Sequence, residues 1–476
     1  MTGDLPYVTK NLTQLLGDII RVSGARVEVR DEQALRGPAM DALVREAVFG
    51  SPEAREYARW LIWQIGQAVG VHAASIHDLY VARGRGECAG FTVPAMNIRG
   101  RAYDTMRAVY RVALKRDAGA FVFEIARSEI AYTDQRPAEY TAVAIAAGLR
   151  EGYRGPVFVQ GDHFQVNAKK YAADPRTEVD AVKALAREAI AAGFYNIDVD
   201  TSTLVDLSQP TLATQQRLNY EVGADLAAFV RSLEPRGVTV SLGGEIGEVG
   251  TANSTVPELR AFMDGFNRTL ASVAPGAAGL SKISVQSGTS HGGIVLPDGS
   301  IADVQLDLKT LEDLSRVARA EYGLAGAVQH GASTLPDQAF HHFPTTETAE
   351  IHLATNFQNM LYDHLPADLR EEIYAWLRAN TADERKIKDS EEQFLYKTRK
   401  KALGPFKRRL WDVPAPVAQA LDAAYDAKFD FLFTQLGVGG TMAAAAKYTK
   451  VVPLSRPVPG GGNAVVVAPD DPEAGE

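Results

Sequence analysis

Short runs of apolar and β-branched residues, each closed by polar ones, recur through the middle of the chain and alternate with stretches of helical periodicity. Eight runs stand out: FTVPAMN from Phe91, AFVFEIA from Ala120, PVFVQGD from Pro156, FYNIDVD from Phe194, VTVSLGGEI from Val238, GLSKISVQ from Gly279, LAGAVQH from Leu324 and EIHLATN from Glu350. In the intervening DAVKALAREAIAAG, Val182, Leu185, Ala189 and Ile190 share one stripe, and Gly193 is placed to end the helix. Strands that alternate with helices predict a parallel sheet with crossover connections. Eight such units in about 265 residues fit a (β/α)8 TIM barrel of the α/β class in number and length. A doubly wound open sheet is the competitor, but its GxGxxG turn is missing after the first strand.

The flanks have helical spacing instead. Residues 1–88 and 366–455 are expected to be helical extensions on a barrel of residues 89–365, and residues 456–476, rich in Pro, Gly and acid, a mobile tail. Tyr57, Trp60, Leu61 and Trp63 lie on one helical stripe, which points to core or subunit interface, and a homo-oligomer is expected.

Composition narrows the partners. With 59 acidic against 50 basic residues the net charge is −9, which argues against a chain devoted to neutralising nucleic-acid phosphates. The single cysteine, Cys88, cannot form an internal bridge, and no signal-peptide pattern opens the chain, so a cytoplasmic location is expected. No apolar run approaches the ~20 residues a spanning helix needs, so no membrane partner is expected. Residues 384–411 run against the overall charge, with ten Lys or Arg against four acids. They read either as a solvated helix face or as a cover in which Arg399, Lys400, Lys407 or Arg408 closes over a substrate phosphate, with nucleic-acid binding ranked behind both.

In a barrel the carboxyl ends of all eight strands share one mouth, and the polar residues of this chain gather there. The third strand ends in Asp162 and His163, the fourth in Asp198 and Asp200, the fifth in Glu245, the seventh in His330 and the eighth in Thr355 and Asn356, while His291 follows the sixth. Asp162 and His163 are expected to point into one cavity because the strand stops there. Three histidines and a glutamate from four strand ends suffice to hold a divalent transition metal. GTSHGG, from Gly288 through Thr289, Ser290, His291 and Gly292, and HGAST, with Gly331 and Ser333, place glycines and hydroxyls where barrel loops hold phosphate or a monovalent cation. His341 and His342 are read as loop residues.

These motifs resemble a family. GDH at Asp162 and His163, GEIG at Glu245, GTSHG at His291 and QHGAST at His330 follow the order of the class II metal-dependent ketose-bisphosphate aldolases, and PAMN at Asn97 and the fourth strand at Asp200 extend the likeness. GDH and AGFYNIDVDTS also resemble the companion subunit of tagatose-bisphosphate aldolases, which is regarded as non-catalytic. The first resemblance implies that His163, His291 and His330 bind a catalytic zinc, with Glu245 near it or near a second divalent or monovalent cation. It implies Asp162 as acid/base, and Asn97, Asp200, Gly288, Thr289, Ser290, Gly292, Gly331, Ser333, Thr355 and Asn356 as the lining for a phosphorylated sugar. The expected reaction is retro-aldol cleavage of a fructose-1,6-bisphosphate-like ketose: the metal polarises the C2 carbonyl, and Asp162 takes the C4 hydroxyl proton.

Two stretches depart from that pattern. The loop after Glu245 reads GEIGEVGTANSTVPEL, where Glu248 and Glu258 are the available acids for the proton step at the enediolate carbon, and neither has the family's offset. The eighth strand reads HLATNF, with His352 and Ala354 in place of the family's asparagine and first aspartate. The alternatives are a stabilising partner subunit without turnover and a metal hydrolase on the same barrel.

Overall fold

The computed structural model describes residues 7, 9–247, 252–288, 296, 306–460 and 467–471. All eight apolar runs form strands: β1 (Val93–Asn97), β2 (Val122–Ala126), β3 (Gly155–Gln165), β4 (Asn196–Asp200), β5 (Ser241–Glu245), β6 (Lys282–Val285), β7 (Ala327–Gln329) and β8 (Glu350–Leu353). They pair in parallel and in chain order, β8 returns to β1, and the ring closes into a (β/α)8 barrel. Closure leaves no free edge and explains why the strands read as near-continuous apolar runs, since helices cover the outer face. The helix Pro175–Ala192 shows how locally the crossovers are specified. Asp174 caps its start by accepting from the Thr177 amide, Pro175 opens it, and Gly193 ends it at a φ of 102°. Its predicted stripe of Val182, Leu185, Ala189 and Ile190 is buried against the barrel.

The segment before the barrel closes its floor. A strand, Val71–Ala74, pairs in parallel with the first half of β3. The helix His77–Gly84 follows, carrying Arg83, whose guanidinium donates to the carbonyls of Ala325 at 3.2 Å, Thr348 at 3.1 Å and Phe91. Those carbonyls sit just before β7, β8 and β1, so one buried cation ties three strand starts together. Farther upstream the helices Met40–Phe49 and Pro52–Val69 pack outside the helix Pro137–Glu151, and residues Ile20–Ser23 and Arg26–Val29 form an antiparallel hairpin turned at Gly24 (φ 58°) rather than helix.

The segment after the barrel wraps its outside. The helix Ala415–Gln435 lies on Ala102–Arg116 through the ion pairs Arg111–Asp426 at 2.8 Å and Arg116–Asp430 at 2.6 Å. The Trp60 and Trp63 indole N–H groups donate to the carbonyls of Arg456 and Leu454 at 3.0 and 2.6 Å, and the Arg456 guanidinium stacks 3.3 Å from the Trp63 ring centre. The aromatic stripe is therefore covered by the same chain. Asp471 is buried between Arg127 at 2.9 Å and Lys170 at 2.7 Å. Among the described residues no helix is long and apolar enough to cross a membrane.

Candidate active site

β3 does not stop at Asp162; it runs on to Gln165. Its pairing with β4 steps from Gly161 opposite Ile197 to Phe164 opposite Val199, three residues against two. The extra residue makes a β-bulge, and His163 takes the left-handed φ of 39° within it. Successive strand residues ordinarily face opposite ways; the bulge turns Asp162 and His163 into the barrel together. The expected convergence is present, but its cause is the bulge and not a strand end. Gly161 is required beside it, because an added Cβ would lie 2.4 Å from the buried Phe164 ring.

His163 Nδ1 donates to Asp200 Oδ2 at 2.9 Å, which leaves Nε2 facing Asp162 Oδ1 at 3.8 Å. Asp200 was expected to meet substrate. It accepts from His163, Gln165 (2.6 Å) and Ser202 (2.7 Å to the hydroxyl, 3.0 Å to the amide), contacts that orient the His163 ring. Glu245 Oε2 lies 3.6 Å from His163 Nδ1. The His330 ring centre lies 4.3 Å from that of His163 with the planes tilted by 52°, and its Nε2 lies 2.9 Å from the Ser284 hydroxyl on β6. The Asn97 amide donates to Asp162 Oδ2 at 2.9 Å and to Glu129 at 2.8 Å.

His352 is the residue the sequence reading underused. It lies 4.1 Å from the His330 ring, with Nδ1 3.0 Å from Asp162 Oδ1 and Nε2 2.7 Å from Glu350 Oε1. Held between two carboxylates, both nitrogens donate: burial disfavours the imidazolium, but Glu124, Asp162 and Glu350 raise its pKa well above the ordinary value. Burial likewise opposes ionisation of Asp162, yet His163, His352 and His330 hold it well below the carboxylate range. His163 is pushed up to about 10, against burial, by Asp162, Asp200 and Glu245. Glu245 goes the other way, raised by burial and by Asp200.

Three sets of donors among the described residues are close enough to share a cation, Asp162 with His163 and His330, His163 with Asp200 and Glu245, and Glu124 with Asp162, Asp198 and His352, each within 4.8 Å. Imidazole nitrogens and carboxylate oxygens, buried together, are the donor chemistry of a divalent transition metal. The donors present therefore fit a metal.

The other predicted positions divide. Gly331 (φ 68°) and Ser333 lie after β7, where the Ser333 hydroxyl accepts from the Ala354 amide at 2.6 Å, and Gly288 (φ 98°) begins the loop after β6. Thr355 and Asn356 open the helix Thr355–His364. Thr289, Ser290, His291, Gly292 and Glu248 lie outside the described residues. Glu258 is occupied capping the helix Val256–Val273, where it accepts from the Thr255 amide at 2.7 Å. The His341 and His342 rings lie against each other, their centres 3.8 Å apart and their planes tilted by 40°. In the basic segment, Lys407 is paired with Glu139 at 2.6 Å, Arg408 lies 4.4 Å from the Phe49 ring, and Arg399 stacks between Tyr362 and Tyr396 at 5.0 and 4.2 Å. Lys407 and Arg399 hold the extension to the barrel, and Arg408 holds it to the helix Met40–Phe49 of the N-terminal segment.

A parallel barrel whose mouth gathers Asp162, two histidines and further carboxylates has donors that could hold a metal ion. The model of the class II fructose-bisphosphate aldolase family matches residues 85–408, and the chain belongs to that family. Among solved structures it is similar to a probable tagatose 6 phosphate kinase from Sinorhizobium meliloti 1021 at 18% identity, covering 75% of this chain and 97% of that one with a TM-score of 0.51. It is similar to fructose-bisphosphate aldolase from Campylobacter jejuni (16% identity, 78% and 97% covered, TM-score 0.46) and to the YdjI aldolase from Escherichia coli K12 (12%, 78% and 99%, TM-score 0.46). No curated protein matches the chain.

Proposed function

We propose that the chain is a zinc-dependent aldolase that cleaves a phosphorylated ketose reversibly into a ketone phosphate and an aldehyde. The observation that carries this is the bulge in β3, which sets the Asp162 carboxylate beside His163 and His330 at the centre of the mouth. His163, His330 and Glu245 would hold the ion, together with His291 as the family resemblance implies, and the bound ion supplies Lewis-acid polarisation of the carbonyl beside the bond that breaks. Asp162 takes the proton of the hydroxyl on the departing carbon and returns it on condensation. Asn97 and His352 each hold one Asp162 oxygen, so the carboxylate can turn only within a narrow range and presents its remaining lone pairs in one direction.

The same two contacts support a second reading, a stabilising partner subunit without turnover, because they engage Asp162 from within the barrel. Assaying triose phosphate release from a panel of ketose mono- and bisphosphates separates the two. Asp162→Ala is expected to lower kcat on the best substrate by on the order of 10²- to 10⁴-fold. No Asp162-dependent cleavage of any sugar favours the partner subunit. Protein purified without chelator should carry about one zinc per chain, and less than about half, with no rise on adding zinc, removes the ligand assignment.

A further inference from the structure

The cover over the aromatic stripe does not close completely. Between residues 454–456, the helix Pro175–Ala192 and the end of the helix Arg217–Leu233 lies a cavity of about 280 Å³, whose walls include Trp63, Arg187, Tyr195, Leu233, Leu454 and Arg456. Tyr195 immediately precedes β4, so the cavity lies at the floor end of the barrel, away from the mouth. One wall is held in place before anything binds. The Trp63 indole donates to the Leu454 carbonyl at 2.6 Å, abuts the Gly193 turn, where an added Cβ would lie 2.7 Å from the ring, and carries the Arg456 guanidinium 3.3 Å from its centre. Arg187 and Ala191 are exposed, so the cavity opens to solvent along their helix.

The charge of this cavity is one-sided. No lining residue is acidic, and the acids nearest in sequence are committed elsewhere: Glu188 to Arg136 at 3.0 Å and the Ala468 amide at 2.7 Å, Glu234 to Arg231 and the Val240 amide at 2.7 Å. Arg456 gives one N–H to the Ala191 carbonyl at 2.9 Å, and burial pushes it down to about 10, against the Tyr195 hydroxyl beside it. It is still charged at neutral pH, in surroundings that disfavour charge. Arg187 lies 5.0 Å from the Phe229 ring centre and makes no hydrogen bond or ion pair among the described residues, whereas Lys183, one turn away, is paired with Asp225 at 2.6 Å. An anion here gains charge-assisted hydrogen bonds from two guanidinium forks. The rest of the lining, Trp63, Ile190, Leu233, Pro235 and Leu454, is apolar and would leave the hydroxyls of a sugar unpaired. The volume is near the lower end for ligand cavities, room for one or two fused rings and a short polar group.

We infer that this cavity is a binding site for a small aromatic carboxylate, whose rings lie against Leu233, Pro235 and Leu454 and whose carboxylate is taken by Arg187 and Arg456. The site lies at the opposite end of the barrel from the metal donors and does not depend on the aldolase reading. A ligand held there bridges residues 454–456 to the two helices, so the segment after the barrel contributes recognition as well as cover.

Isothermal titration calorimetry of the full chain with 2-naphthoate, and with 2-naphthalenemethanol as its uncharged counterpart, tests the site. Wild type should bind about one 2-naphthoate per chain, and the alcohol on the order of 10-fold more weakly. Arg187→Met, at an exposed position, should weaken 2-naphthoate by on the order of 10-fold and leave the alcohol within about twofold, and Arg456→Met should weaken the carboxylate at least as much. No binding of 2-naphthoate by wild type, equal affinity for the alcohol, or unchanged affinity in Arg187→Met overturns the inference, the last because the ligand then sits elsewhere, the metal donors included. Displacement of 2-naphthoate by an equal concentration of inorganic phosphate also overturns it, since the guanidiniums would then take charge without regard to the rings. Melting temperatures without ligand show whether each variant folds, and Arg187→Met decides if Arg456→Met does not.

Discussion

At the floor of the barrel the Lys282 ammonium, fully buried, is met by Asp198 at 2.9 Å, Gln160 at 2.8 Å and Glu350, and the Tyr80 hydroxyl donates to the second oxygen of Glu350. At the mouth, His163 and His330 stand among Asp162, Asp200 and Glu245. Both layers are polar and both are buried, but their charge is settled differently. On the floor Lys282, with His352 beside it, answers two carboxylates, and Gly243 makes the room, since a Cβ there would lie 2.3 Å from Asp198 Oδ1 and 2.9 Å from Lys282 Cε. At the mouth Asp162, Asp200 and Glu245 meet the imidazoles of His163, His330 and His352, and Glu245 resists ionisation. The floor is completed by the protein's own cation; the mouth has the donors to bind one from outside. Polarity inside a barrel therefore does not by itself mark a site, whereas surplus donor capacity does.

The sharpest way to break this contrast is Lys282→Met. It leaves Asp198 and Glu350 with His352, at 3.6 and 2.7 Å, as their remaining cationic partner, and removing one partner of a buried pair costs about 3–5 kcal/mol. Urea unfolding should show a loss of that size, while zinc content per folded chain stays unchanged. A loss below about 1 kcal/mol would mean that the floor is not held by this charge, and a fall in zinc would mean that the two layers are one.

The floor should also be the acid-sensitive end. His77 opens the plugging helix and is kept neutral, pushed down to about 4 by burial and by Arg231. Its folded pKa lies below the ordinary 6.5, so the unfolded chain takes up the proton first. The stabilisation is present above pH 6.5 and is lost as pH falls from there towards 4, a change of up to about 3 kcal/mol. His77→Gln should flatten the stability profile across that window in urea titrations at pH 7 and pH 4.5. A wild-type profile that is already flat there would show that His77 is solvated.

How much of this was legible in the sequence follows from which signals are local. The eight strands and the Gly193 cap depend on neighbouring residues, and all appear where the patterns place them. The bulge was not visible, because a Gly-Asp-His run looks the same whether a strand stops or gains one residue against its partner, and only the β4 register distinguishes them. His352 and Glu350 did leave a trace, alternating with Ile351 and Leu353 in EIHL. That alternation sends polar groups inward, which becomes informative once the barrel is known, since the inner face of a barrel is ordinarily apolar. The cover over Trp60 and Trp63 left none: contact with residues 454–456 spans almost the whole chain, and a buried stripe reads the same whichever segment buries it.

The smallest expected effect isolates the mouth. Asp200→Asn keeps the shape of the side chain but replaces one accepting oxygen with a donating NH₂, so the His163 Nδ1–H loses its carboxylate partner. The imidazole is then free to carry its proton on Nε2, the nitrogen that faces Asp162, and must give that proton up before it can bind a metal there. Zinc affinity should fall by on the order of 10- to 100-fold, read by competition with a chelator, while unfolding free energy shifts by less than about 1 kcal/mol. That is the mirror image of Lys282→Met: the floor variant loses stability and keeps metal, and the mouth variant keeps stability and loses metal. Unchanged zinc affinity in Asp200→Asn would mean that the Asp200 contact does not set the His163 tautomer, and the assignment of His163 Nε2 as the metal-facing atom would fall with it.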